Sequence, residues 1–276
     1  MCLIAWNWQP RSQTPLLLLS NRDEFYARPA QALHWWGQTP NGAEILGGKD
    51  LQAGGTWLGV SRSGRLAALT NYRTPEPART NTSSRGELVA NFLQDHTTVE
   101  SFLNQLSRHT DDYNPFNLLV FDGQSFMGLE SRGSTVIVME PGIGAVSNAN
   151  FQTPWPKLTR LTRGLALKIE QGQSNTSYLL ALLHDQKIAA DADLPQTGIE
   201  LDLERMLSAT FITSPAYGTR ACSVVAIHND HTEFTEQAFD AEGLLGQSQQ
   251  HFAIVNRVIR SSLPALPGCP DAQDSP

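Results

Sequence analysis

Cys2-Leu3-Ile4-Ala5-Trp6-Asn7-Trp8 and Leu16-Leu17-Leu18-Leu19-Ser20-Asn21-Arg22-Asp23-Glu24 are separated by the turn-prone segment Pro10 to Thr14. Short apolar runs bounded by turn residues read as strand, turn, strand. The two are predicted to pair as a hairpin in which Cys2 opens the first strand and Arg22 lies beside it. In a regular strand Arg22 and Glu24 share one face while Asn21 and Asp23 take the other. All four point at Cys2 only if the strand bulges or ends there.

Working outward, Thr56 to Ser61, a turn at Ser63-Gly64 and Arg65 to Leu69 predict a second hairpin leading into Thr70-Asn71. Gly47-Gly48-Lys49-Asp50 with Gly54-Gly55 reads as a loop whose glycines serve tight turns. Residues 87–94 and 99–106 carry apolar positions at helical spacing, with Ser84 and Thr98 as N-caps. Strands are expected over 116–121, 135–139 and 144–147, with turns at Asp122-Gly123 and Pro141-Gly142. Leu158, Leu161, Leu165 and Ile169 mark an amphipathic helix over 155–170, and 178–184 and 201–207 read as shorter helices. Strands over 221–227, 232–238 and 252–255 close the chain. No repeat is present, and this order predicts an α+β fold of two antiparallel sheets covered by helices. Residues 1–260 form one domain, and the Pro-rich segment 261–276 is expected to be disordered.

The 276 residues carry a formal charge of -7, which disfavours nucleic acid as a partner. The longest early apolar run is far shorter than the roughly 20 residues of a membrane span. No secretory leader is recognised, so a cytoplasmic location is expected. Three cysteines at wide spacing, Cys2, Cys222 and Cys269, fit neither a disulfide framework nor a paired-cysteine zinc site. Seven histidines show no metal-ligand spacing and are expected at the surface, His228 and His231 flanking an Asn229-Asp230 turn. Nothing in the sequence specifies an oligomer.

Chemistry centres on Cys2. Removal of Met1 would place a free α-amine, pKa about 7.7–8.0, on the same residue as a thiol of pKa about 8.5. Nucleophile and base then come together for acyl transfer.

Several spaced motifs in order resemble the NRDE family: Met1-Cys2, Asn21-Arg22-Asp23-Glu24, Gly47 to Gly59, Thr70-Asn71-Tyr72-Arg73, Ser84-Arg85-Gly86, Ser147-Asn148-Ala149, Thr153-Pro154-Trp155-Pro156-Lys157 and Tyr217-Gly218-Thr219-Arg220. That family is in turn similar to the N-terminal-nucleophile hydrolases, closest to the branch that cleaves bile-salt and penicillin amides. The resemblance implies a four-layer αββα sandwich and a cysteine-nucleophile hydrolase of an amide C–N bond in a small or lipid-like substrate. It implies Cys2, Arg22, Asp23, Asn71, Asn148 and Arg220 as catalytic residues. Asn71 would serve the oxyanion, Asn148 would position the α-amine or substrate, and Arg220 would add positive charge near the thiolate. Asn21, Glu24, Trp57 and Tyr72 form the expected substrate-binding wall.

Other readings stay open at several of these positions. Arg22, Asp23 and Glu24 also read as a structural ion-pair network, Asn71 and Asn148 as turn asparagines, and Trp57 as core. No cofactor is required. The resemblance also leaves a binder of haem, acyl-coenzyme A or lipid without catalysis, for which the Cys269-Pro270 pair resembles a haem-regulatory motif.

Overall fold

The computed structural model describes residues 2–37 and 44–255. Cys269-Pro270 and the tail 261–276 lie outside them. Strands β1 (Cys2–Trp8) and β2 (Leu16–Phe25) form the predicted antiparallel hairpin, with Trp8 opposite Leu16 and Cys2 opposite Arg22. Pleating sends alternate side chains to opposite faces and divides one apolar run between two cores. Leu3, Ala5, Leu17 and Leu19 pack against Leu158, Leu161 and Leu165 of α3 (Pro156–Glu170) and Leu179 and Leu183 of α4 (Thr176–Leu183). Ile4, Trp6, Trp8, Leu16 and Leu18 meet Leu58, Leu66, Leu119 and Phe121 of a second sheet. Each buried large apolar side chain contributes roughly 1.5–3 kcal/mol, so burial on both faces fixes this register far more firmly than the turn does.

The first sheet has the order β10-β1-β2-β11-β12-β13, where β10 is Gly142–Val146, β11 Tyr217–Ile227, β12 His231–Asp240 and β13 Gly243–Ala253. The second runs β3 (Ala30–Trp35), β4 (Ile45–Asp50), β5 (Leu58–Ser61), β6 (Leu66–Asn71), β7 (Phe116–Phe121), β8 (Phe126–Glu130) and β9 (Thr135–Val138). Helices α1 (Gly86–Gln94) and α2 (Val99–Leu106) cover its outer face through Leu88, Val89, Phe92 and Leu103. A short α5 (Leu201–Leu207) completes the described helices. All strand pairings within the sheets are antiparallel, and the layers run helix, sheet, sheet, helix, as expected. Glu236 of β12 ties the sheets together, accepting from Leu33 N of β3 at 2.7 Å and from Ser223 Oγ at 3.3 Å. Burial lifts its carboxyl to about 7 against these two hydrogen bonds.

Several local expectations are corrected. Thr98 caps α2 by accepting from Ser101 N, whereas Arg85, not Ser84, occupies the N-cap position of α1. Gly47-Gly48-Lys49-Asp50 is a strand, β4, and its glycines answer close approach. A Cβ on Gly47 would lie 2.7 Å from Leu58 O, and one on Gly48 would lie 2.3 Å from the Trp57 ring. Strand β8 lacks a turn-flanked run long enough to read. Strand β13 is an edge strand rich in glutamine, solvated along most of its length, so its sequence has little apolar alternation to reveal.

Gly48→Ala is expected to cost about 1–3 kcal/mol by driving a methyl group into Trp57. Gly246→Ala, with no atom within 4 Å of the added Cβ, should be close to neutral. Urea denaturation of both variants measures the contrast, and equal losses would contradict the close-approach reading.

Candidate active site

Cys2 heads β1, inside the first sheet between β10 and β2, with 8% of its surface exposed. Its carbonyl accepts from Ser147 Oγ at 3.2 Å. It opens into a cavity of about 440 Å³ whose wall includes Arg22, Asp23, Glu24, Arg28, Asp50, Trp57, Asn71, Arg79 and Arg85. Burial pushes the Cys2 thiol above its ordinary value and Asp23 and Glu24 add to that, while Arg22 pulls it down. At rest the group is a thiol, and charge on it must be drawn out by a cation or a base.

Arg22 is the nearest such cation in the ladder, directly across from Cys2. Its Nη2 donates to Asp50 Oδ2 at 3.0 Å, and its guanidinium carbon lies 4.3 Å from the Trp57 ring centre. The Trp57 ring also lies within reach of Gly48, and lack of a side chain there is what lets it in. Asp50 accepts from Arg28 Nε at 2.6 Å and from the backbone of Gln52 and Ala53, both at 3.0 Å. Burial alone would raise the Asp50 carboxyl, but the Arg28 hydrogen bond and these contacts hold it below its usual range. A fixed anion thus pins Arg22 at the rim of the thiol.

Behind β2 lies a second set of charges. Asp23, 1% exposed, accepts from Thr219 Oγ1 at 2.7 Å, and its backbone oxygen accepts from Tyr217 Oη at 3.1 Å. Burial raises its carboxyl and the charge of Lys157 opposes that. Burial likewise lowers Lys157 to about 8 against the charge of Asp23. Nearby, Arg73 Nη1 and Glu204 Oε2 form a buried ion pair at 2.6 Å, with Arg73 4.7 Å from the Trp155 ring centre.

The sequence pattern of the Transport and Golgi organisation 2 family matches residues 1–241. The chain belongs to that family. It is 37% identical over 264 residues to the Transport and Golgi organization protein 2 homolog of Bos taurus, covering 86% of this chain and 93% of that protein. The Homo sapiens homolog is 37% identical over 263 residues with the same coverage. In three dimensions the chain is similar to a mutant conjugated bile acid hydrolase from Clostridium perfringens, with a TM-score of 0.49 and 10% identity over 91% of this chain and 96% of that one.

Of the residues that the family resemblance singled out, Cys2, Arg22, Asp23, Glu24, Trp57 and Asn71 share the cavity wall. Four do not line it. Asn21 is fully buried on the opposite face of β2, its Nδ2 donating to Leu183 O and Thr210 O, both at 2.9 Å, because strand alternation turns it toward the helices. Asn148 has both ends of its amide occupied: Nδ2 donates to Asn71 O at 2.8 Å and Oδ1 accepts from Ser147 Oγ at 3.0 Å. Its Nδ2 thus holds the Asn71 backbone. Tyr72 Oη donates to Asn150 Oδ1 at 2.8 Å, and its ring lies 5.1 Å from the Arg132 guanidinium. Arg220 sits at a bulge between Thr219 and Ala221 and donates to the carbonyls of Phe25, Tyr26, Arg28 and Phe239 at 2.9–3.1 Å. The bulge breaks the alternation that would have aimed it at Cys2.

Sequence reasoning missed Arg28, Asp50, Arg79, Arg85 and Lys157 as site residues. Arg85 lines the cavity and donates to Pro115 O at 3.2 Å; burial lowers its pKa while Cys2 and Glu24 act in the opposite sense. Lys157 had a readable signal. It stands four and eight residues before Leu161 and Leu165, a lysine on the apolar stripe of an amphipathic helix.

Alkylation of Cys2 by iodoacetamide should accelerate with a midpoint above the ordinary thiol pKa. Arg22→Gln should move that midpoint upward by roughly one pH unit by removing the stabilising cation. Peptide mapping separates Cys2 from the fully buried Cys222. A midpoint unchanged or lowered in Arg22→Gln contradicts the electrostatic role of Arg22.

Proposed function

We propose that this chain is a cysteine-nucleophile hydrolase of an amide C–N bond in a small substrate bearing an anionic group. The observation that carries the reading is Cys2 at the head of a doubly buried strand, opposite Arg22 and opening into a polar cavity whose wall includes Asn71. Met1 removal frees the α-amine of Cys2, which takes the thiol proton. Cys2 Sγ attacks the amide carbonyl carbon as the C–S bond forms. Collapse breaks the C–N bond, the amine leaves with the proton held by the α-amine, and water then hydrolyses the thioester to a carboxylic acid. Asn71 donates its side-chain amide to the oxyanion, and Asn148 holds the Asn71 backbone in place. Arg22, Arg28, Arg79 and Arg85 on the wall favour a carboxylate or phosphate on the substrate. A long apolar chain finds little matching wall, so the small substrate is favoured over the lipid-like one. Cys2 and Cys222 are both free thiols, which suits a reducing, cytoplasmic setting.

The same four arginines favour a second reading, in which the cavity holds an anionic ligand such as an acyl-coenzyme A or the propionates of haem without cleaving it. A panel of acyl amides carrying carboxylate or phosphate groups distinguishes the two. Turnover should fall at least about 10³-fold in Cys2→Ser and about 10²–10³-fold in Asn71→Ala. Full turnover in Cys2→Ser sinks the hydrolase reading; ligand affinity with no cleavage and no thioester in the native chain favours the binder.

A further inference from the structure

The turn joining β11 and β12 lies at the far end of the first sheet from Cys2. Ile227 pairs with Leu16 at the start of β2, whereas Cys2 is opposite Arg22, six residues and about 20 Å along that strand. His228 and His231 stack here with ring centres 4.1 Å apart and planes 10° apart. His251, from the neighbouring β13, places its ring 4.6 Å from that of His231. Glu233 stands two residues after His231, on the same face of β12. Its Oε1 is 3.9 Å from His231 Nε2 and 3.4 Å from His251 Nδ1. One ligand atom from each of His228, His231 and Glu233 lies within 4.8 Å of the other two.

Two of the rings are oriented by outer partners. His228 Nδ1 is 2.9 Å from Thr14 Oγ1, and His231 Nδ1 is 2.7 Å from Asp230 Oδ1. That is the outer hydrogen bonding that orients metal-bound histidines and leaves the second ring nitrogen to the ion. His228 Nε2 is buried and makes no hydrogen bond among the described residues. A buried polar atom left so costs on the order of 1–3 kcal/mol, which a bound cation would recover. Pairing with Glu233 accounts for His231 and His251, but not for His228. His228 and Glu233 also border a cavity of about 510 Å³, which gives an ion access and room for a further ligand.

We propose that His228, His231 and Glu233, with His251 as a fourth donor, bind one divalent transition-metal ion of the zinc, copper or nickel type. Imidazole donors with a single carboxylate select such ions over magnesium and calcium, which require mostly oxygen. Tetrahedral zinc bonds of about 2.0–2.2 Å set ligand atoms about 3.4 Å apart, so the side chains close by about 1 Å on binding. The ion clasps the β11–β12 turn to β13 and is independent of Cys2 chemistry. Histidine spacing in the sequence concealed the site because its donors come from the β11–β12 turn, from β12 and from the adjacent edge strand β13, not from one helix.

Tag-free, chelator-dialysed full-length protein titrated with Co²⁺ tests this. One equivalent should bind with visible d–d bands, show no thiolate charge-transfer band, and be displaced by Zn²⁺. His231→Gln and Glu233→Gln should each weaken binding about tenfold or more, with folding checked by circular dichroism. Asp230→Asn, at an exposed outer position, should weaken it too if either of those variants misfolds. Cys2→Ser should titrate like the native chain. Absence of one-to-one binding, binding unchanged in His231→Gln and Asp230→Asn, or binding lost in Cys2→Ser overturns the proposal.

Discussion

The antiparallel pairing of β1 with β2, in the register that sets Cys2 opposite Arg22, is the constraint on which the rest of the structure depends. A slip of β2 by one residue against β1 would send Leu16 and Leu18 toward the helices and Leu17 and Leu19 toward the second sheet, moving each set into a core of different shape. It would also move Arg22 to the helix side and bring Asn21 or Asp23 to the thiol. The apolar burial that fixes the fold therefore also fixes Cys2 beside Arg22 at the strand end.

Polar groups at that strand end sort onto two sides. Facing the cavity, Asp50 holds Arg22 and Arg28 together, and Trp57 fills the space that Gly48 leaves open. Behind β2, Asp23, which also borders the cavity, pairs with Thr219 and Lys157, and with Arg73 and Glu204 these form a buried charged floor. Burying these ions costs several kcal/mol each before their mutual attraction is counted, and apolar residues would fill the space more cheaply. They cluster behind Cys2, as charged groups do at functional sites and also in structural networks such as that of buried Glu236.

Much of this was legible in the sequence. The β1–β2 hairpin, the β5–β6 hairpin with its turn at Gly64, and the helices α1 to α5 follow from apolar period and turn residues. Strand β4 was hidden because its glycines read as turns when they serve contact with Leu58 and Trp57. Strand β13 was hidden because an edge strand carries no core pattern. In the site, strand pairing alone placed Arg22 beside Cys2, whereas Asn71 on the same cavity wall came from the family resemblance. Asn21, Asn148, Tyr72 and Arg220 could not be sorted, since polar motif residues look alike whether they face a cavity or satisfy buried backbone carbonyls. The bulge at Arg220 and the doubly bonded amide of Asn148 exist only in three dimensions.

The central claim is that Cys2 acts as an N-terminal nucleophile, and the residue that begins the mature chain tests it most directly. Intact mass and N-terminal peptide sequencing of the untagged protein should show a chain lighter by one methionine and beginning with Cys2 bearing a free amine. A chain that retains Met1 throughout, under conditions where an amide substrate is being turned over, would contradict the account.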